Sequence, residues 1–210
     1  MSDRSSLKTG ALATGILGAL LVWACSSPPV VVPPNPKVPA GSHSSGGLHA
    51  VLDTDKGPIE VELLAKDSPA AVENFRLLAE HGYYDGVVFH RILKGFMIQT
   101  GDPTGTGRGG QSAWGGYFED NIHARSDVYK RGYVRGVLAM ANHGPDTNGS
   151  QFFIMHQDYD LPPRYVIFGV VTRGLNVVDA LANTPTEEGP TGEHSKPVVP
   201  PVIRKVSILP

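Results

Sequence analysis

The chain has 210 residues, enough for one domain of ordinary size with tails and short for two. Its 18 basic against 20 acidic side chains give a formal net charge of −2, so no basic field favours nucleic acid or another anionic partner. A hydrophobic content of 40% with 25 glycines and 18 prolines fits a turn-rich globular domain and argues against a coiled coil or a disordered chain.

The first 24 residues read as a targeting segment. Arg4 and Lys8 form a cationic start, and the apolar run GALATGILGALLVWA at 10–24 has the length of a signal-peptide core. It is shorter than the roughly 20 apolar residues that span a bilayer. The run ends at Cys25, the only cysteine, so no intrachain disulfide is possible. Leu21, Val22, Trp23 and Ala24 before Cys25 resemble a bacterial lipobox, with Trp23 a bulky departure from it. That resemblance implies lipidation of Cys25, a membrane-anchored lipoprotein of the cell envelope, and a domain outside the cytoplasm. A plain secretory signal or an uncleaved anchor is the alternative. Residues 25–47 follow as a linker: prolines at 28, 29, 33, 34, 36 and 39 favour an extended spacer, and the Ser/Gly end is flexible.

The folded domain is expected over 48–210. HAVLDT (49–54) and PIEVELL (58–64) flank Asp55-Lys56-Gly57, a hairpin signal. Ser68 and Pro69 suit the cap and first turn of a helix whose Val72, Phe75, Leu78 and Ala79 share one face and which Gly82 ends. Further strands are expected at 87–92, 96–101, 136–141, 150–155, 165–171 and 202–209. A second helix is expected at 174–182, and 185–201 reads as an irregular Pro/Gly-rich stretch. Eight strands and two helices without a βαβ rhythm favour a mainly antiparallel sheet or barrel.

Two segments carry the chemistry. FHRILKGFMIQTGD (89–102) and MANHGPDTNGSQFF (140–153) each set a few polar side chains among large apolar ones and flank them with glycine. Such a combination suits an apolar pocket with a cation and amides at its rim. The six glycines within 104–116 invite a nucleotide reading, but no Lys-Ser/Thr follows as a phosphate-binding loop requires. A loop bent around the pocket rim is the better reading. The eight histidines include no HExxH, and the sole cysteine lies outside the domain, so no metal and no cofactor is expected. His156 is assigned a surface or loop role along with the other scattered histidines. His90 is read as structural, since strand neighbours point to opposite faces.

These segments resemble the cyclophilin family of peptidyl-prolyl cis–trans isomerases, and the resemblance covers about 48–209. It implies a closed eight-stranded antiparallel β-barrel capped by two α-helices, acting on proline-containing polypeptides during the folding of exported proteins. Carried over, Arg91 and Gln99 are catalytic. Phe96, Met97, Phe153 and Leu161 form the proline pocket, Asn142 holds the peptide, Ala141 and Gln151 line the adjoining groove, and Tyr165 forms a wall. Arg108, Gly116, Tyr117 and His143 rim the second pocket. Many members have histidine where Tyr165 stands and tryptophan where Asp160 stands; the latter departure implies weak cyclosporin binding. A monomer is the default. The rival readings are a non-catalytic proline-peptide-binding or chaperone module and a structural envelope lipoprotein.

Overall fold

The computed structural model describes residues 47–189 and 191–210. The expected signal segment, Cys25 and the proline-rich linker lie outside the described residues.

Alternating burial builds the sheet. Strand β1 (Leu48–Thr54) and β2 (Gly57–Leu63) form an antiparallel hairpin with Thr54 opposite Gly57. The Thr54 hydroxyl donates to the Gly57 carbonyl at 2.7 Å, and Gly57 takes a φ of 124° that favours glycine. Ala50, Leu52, Ile59 and Val61 turn inward and are fully buried.

Helix α1 (Pro69–Glu80) lays Val72, Phe75, Leu78 and Ala79 on the core, as the spacing predicts. Ser68 occupies the N-cap position but makes no capping bond. Its hydroxyl instead donates to the Ile167 carbonyl at 2.6 Å, tying the helix start to a distant strand.

The remaining strands of the main sheet are β3 (Arg91–Leu93), β4 (Met97–Thr100), β5 (Val137–Met140), β6 (Phe152–Met155), β7 (Ile167–Arg173) and β10 (Ile203–Leu209). They pair antiparallel in the order β10-β1-β2-β7-β5-β6-β4-β3. One face carries a core in which the Phe75 ring packs within 5.5 Å of Tyr84, Phe152 and Phe168. The opposite face carries a second apolar cluster that includes Met97, Ala139, Phe153 and Ile167.

Four expectations are corrected. The eight strands do not form an unbroken closed ladder. β3 and β10 are the ends of the sheet order, and the expected strand at 87–92 is a single bridge, Val88 to Val202, followed by the short β3. Backbone bonds from Gly86 to Ile203 (2.8 Å), Ile203 to Val87 (2.9 Å) and Phe89 to Pro201 (2.9 Å) join the two edges there. Pro200 and Pro201 lack the N–H groups that a regular ladder would need.

The described residues also hold three helices rather than two: α2 (Asp127–Arg131) is a short extra turn, and α3 (Leu175–Ala182) matches the second expected helix. Finally, the stretch 185–201 is not wholly irregular. It holds a separate two-stranded sheet of β8 (Thr186–Glu188) and β9 (His194–Pro197), with β9 packed against β3.

Candidate active site

Cross-strand register gathers the expected site residues on the outer face of the sheet. Arg91 lies opposite Gln99, Gln99 opposite Phe153, and Phe153 opposite Ala139. Their neighbours Ile92, Ile98, Ile154 and Leu138 point the other way into the core. A period of two therefore separates the site from the core along each strand.

Arg91 and Gln99 begin a polar chain. Arg91 Nη1 donates to Gln99 Oε1 at 3.2 Å, and Gln99 Nε2 donates to Gln151 Oε1 at 2.9 Å. Gln151 Nε2 then donates to the carbonyls of Gly107 (3.0 Å) and Gly109 (2.8 Å). The Gly-rich loop is thus fastened to the sheet through two amides. Its own anchor is the fully buried Asp102, which accepts from the Thr104 N–H and hydroxyl at 2.8 Å each and from the Gly109 N–H at 3.1 Å. Burial works to raise that carboxyl, but the bonds from Thr104 and Gly109 hold it below the usual carboxylate range. Asn74 of α1 pins the same region by donating to the Gly149 carbonyl (2.9 Å) and accepting the Ala113 N–H (2.8 Å).

The apolar part stands beside this chain. Met97 and Phe153 are buried, while Phe96, Leu161, Tyr165 and Ala141 are half-buried against them. The Phe153 and Tyr165 rings meet edge-on at 5.4 Å, and Phe96 lies 4.4 Å from Tyr159. Asn142 Nδ2 donates to the Arg164 carbonyl at 2.8 Å. Among the described residues its own backbone N–H and carbonyl take no hydrogen bond. A depression next to the apolar patch is lined by Gln99, Ala141, Gln151, Tyr117 and His143 together with backbone of Gly109 and Gly110. Arg108 and Gly116, also expected at that rim, are not among its lining residues. A larger cleft of about 580 Å³ lies beyond Tyr117, between the start of α1 and residues 114–123, and does not include Arg91.

Several residues that position the site left no sequence signal. Tyr133 and Tyr129 hold the backbone of Tyr165 and Ile167 through their phenols, and burial pushes the Tyr129 phenol up to about 12. Of the surface or loop role expected for His156, the loop position holds, in a bend just past β6, and the surface exposure is corrected. His156 is buried, accepts the Gly95 N–H on Nδ1 at 2.9 Å, and faces Asp179 with Nε2 at 3.3 Å. That contact fixes the β3–β4 turn that carries Phe96. His90 is largely enclosed, its ring nitrogens have no hydrogen-bond partner among the described residues, and burial lowers its pKa. No group of three or more His, Cys, Asp or Glu side chains among the described residues is placed to hold a metal ion.

An antiparallel eight-stranded sheet with a helix-covered core thus bears an arginine, amides and an apolar patch on its outer face. The family model for cyclophilin type peptidyl-prolyl cis-trans isomerase/CLD matches residues 49–208. The chain belongs to that family and is a cyclophilin-type peptidyl-prolyl cis–trans isomerase.

It is 49% identical over 142 residues to peptidyl-prolyl cis-trans isomerase-like 3 of Rattus norvegicus, covering 67% of this chain and 86% of that one. The Homo sapiens protein of the same name is 48% identical over 142 residues, with the same coverage. A crystal structure of a Cryptosporidium parvum cyclophilin type isomerase superposes with a TM-score of 0.70 at 38% identity, over 79% of this chain and 99% of that one. A second structure of that protein, in the presence of the dipeptide Ala-Pro, gives 0.69 at 38% identity, over 77% and 99%.

Proposed function

We propose that Arg91 is the donor that stabilises the twisted imide of a bound Xaa-Pro bond. The planar bond has partial double-bond character and a barrier of ~18–20 kcal/mol. At the twist, resonance is lost and the proline nitrogen becomes a hydrogen-bond acceptor. A donor aimed there favours the transition state over the planar ground state, and each tenfold of rate needs about 1.4 kcal/mol of that preference. A guanidinium suits the task because it stays charged and offers a rigid fork of donors.

The observation that carries this reading is the shared outer face of Arg91, Gln99 and Phe153, which sets the cation beside an apolar patch. Phe96, Met97, Phe153 and Leu161 then hold the ring and Tyr165 walls it. The Asn142 backbone grips the peptide, and Ala141 and Gln151 line the groove before it. The relative solved with Ala-Pro supports a short proline peptide as the minimal substrate. NMR exchange spectroscopy on an Ala-Pro peptide tests this. The full chain accelerates exchange, and a folded Arg91→Ala variant loses most of the effect while still binding. Equal acceleration by that variant overturns the assignment. No acceleration by the wild type favours the non-catalytic peptide-binding module.

The sequence before the domain supports a setting for this activity. Lipidation of Cys25 would tether a monomeric domain to a membrane outside the cytoplasm, with the proline-rich linker as spacer, to act on exported proteins. Labelling cells with radioactive palmitate checks it: label on the wild type and none on Cys25→Ala is expected, and an unlabelled wild type removes the anchor.

A further inference from the structure

Arg91 does not stand free at the site. The turn between β8 and β9 brings Glu193 against it from 102 residues away. The Glu193 carboxylate accepts from Arg91 Nε at 2.6 Å through Oε2 and from Nη2 at 2.8 Å through Oε1, a two-point fork that fixes the guanidinium plane. The remaining nitrogen is thereby turned away from the hairpin. Nη1 faces Gln99 Oε1 at 3.2 Å and Met97 Sδ at 3.9 Å. A thioether is a weak acceptor, so the Nη1 hydrogen directed at Met97 is the donor a substrate could claim. Met97 belongs to the apolar patch assigned to the proline ring.

We propose that Glu193 is a positioning residue that holds the Arg91 guanidinium with Nη1 directed into the proline pocket. The inference rests on the reading of Arg91 as the donor. Both side chains keep about a third of their exposure, 34% for Arg91 and 36% for Glu193, so the pair contributes little to stability and its effect is one of orientation. Backbone hydrogen bonds hold Glu193 in place. The Glu193 carbonyl accepts from the Gly189 N–H at 2.8 Å and the Ser195 N–H at 2.9 Å. An arginine with free χ angles samples many directions, and the fork selects one before substrate arrives.

The test measures kcat and KM on an Ala-Pro peptide for the full chain, with NMR amide dispersion as a check of folding. Glu193→Ala is expected to lower kcat about fivefold at nearly unchanged KM, because the donor acts in the transition state alone. Glu193→Asp restores part of the loss. Arg91→Ala/Glu193→Ala is no slower than Arg91→Ala, since Glu193 acts through the arginine. Glu187→Ala, which removes the exposed Glu187–Lys196 ion pair and touches neither Arg91 nor Glu193, keeps the wild-type rate. A wild-type or faster Glu193→Ala, losses that add in the double variant, or an equal loss in Glu187→Ala would each overturn the proposal while leaving Arg91 as donor. A wild-type rate for Arg91→Ala removes the donor reading itself, and this inference with it.

Discussion

The phenol oxygen of Tyr133 accepts the Tyr165 N–H at 3.1 Å and donates to the Tyr165 carbonyl at 2.9 Å, so one side chain satisfies both backbone groups of the pocket wall. Tyr129 adds a second donor to that carbonyl at 3.3 Å. Tyr133→Phe leaves the Tyr165 N–H without its partner, and a loss of ~1–3 kcal/mol is expected. Urea unfolding measures it. A midpoint equal to wild type would show that the wall holds itself.

Stability should fall with acidification through the His156 contact. Burial lowers the pKa of His156, Asp179 opposes that shift, and Arg135 reinforces it. The folded value thus lies below the ordinary one near ~6.5. Above ~6.5 both folded and unfolded imidazoles are neutral, and the stabilisation is fully present. As pH drops further, the unfolded chain takes up its proton first, and stability is lost down through the folded value. His90, also lowered by burial, acts in the same sense. Tm recorded from pH 7.5 to 5 should decline, and less steeply in His156→Gln, which removes one titrating group. An unchanged slope in that variant would exclude His156 as a contributor.

Gly101→Ala should be costly. The residue has a φ of 89°, and a Cβ there would run into the Ser150 carbonyl, whose own side chain donates to the Gly101 carbonyl at 2.6 Å. Strain and collision together predict a loss of more than ~1 kcal/mol by chemical denaturation, with the 101–110 loop and Gln151 displaced. A fully stable variant would mean that the loop can shift without penalty.

Cyclosporin should inhibit weakly. Asp160 stands exposed beside Leu161, where the family's usual tryptophan would offer an indole N–H and apolar area. A carboxylate supplies neither. Titration of the drug against the isomerase rate checks this, and Asp160→Trp should strengthen inhibition. Tight inhibition of the wild type contradicts the expectation.

The strand with clean alternation was legible in the sequence: HAVLDT carries a period of two because one face is buried and the other is not. VIRKVSIL reads as a strand too, but its buried Ile203 and Val206 stand three apart, because a bulge interrupts its pairing with β1. Helix α1 was equally plain from Val72, Phe75 and Leu78. The hairpin of β8 and β9 was not, since TEE is largely exposed and the buried positions of HSKP are Ser195 and Pro197, which offer no apolar period. Helix α2 is five residues long with Val128 alone buried, too little for periodicity to register. At the site, the segments around Arg91 and Phe153 announced themselves by composition and family resemblance. Glu193, Tyr133 and His156 act through a few polar contacts with partners far along the chain, and such contacts leave no spacing to read.

The alternation of faces in β4 and β6 also bears on how this domain can change over time. Ile98 and Ile154 secure the interior while Gln99 and Phe153, one residue away, meet the exterior patch. Specificity can therefore be rewritten at the accessible outward positions, such as Gln99 and Tyr165, while the scaffold beneath is left intact, and a library that spares the buried Met97, Ala139 and Ile167 of the same face should retain a high proportion of folded members.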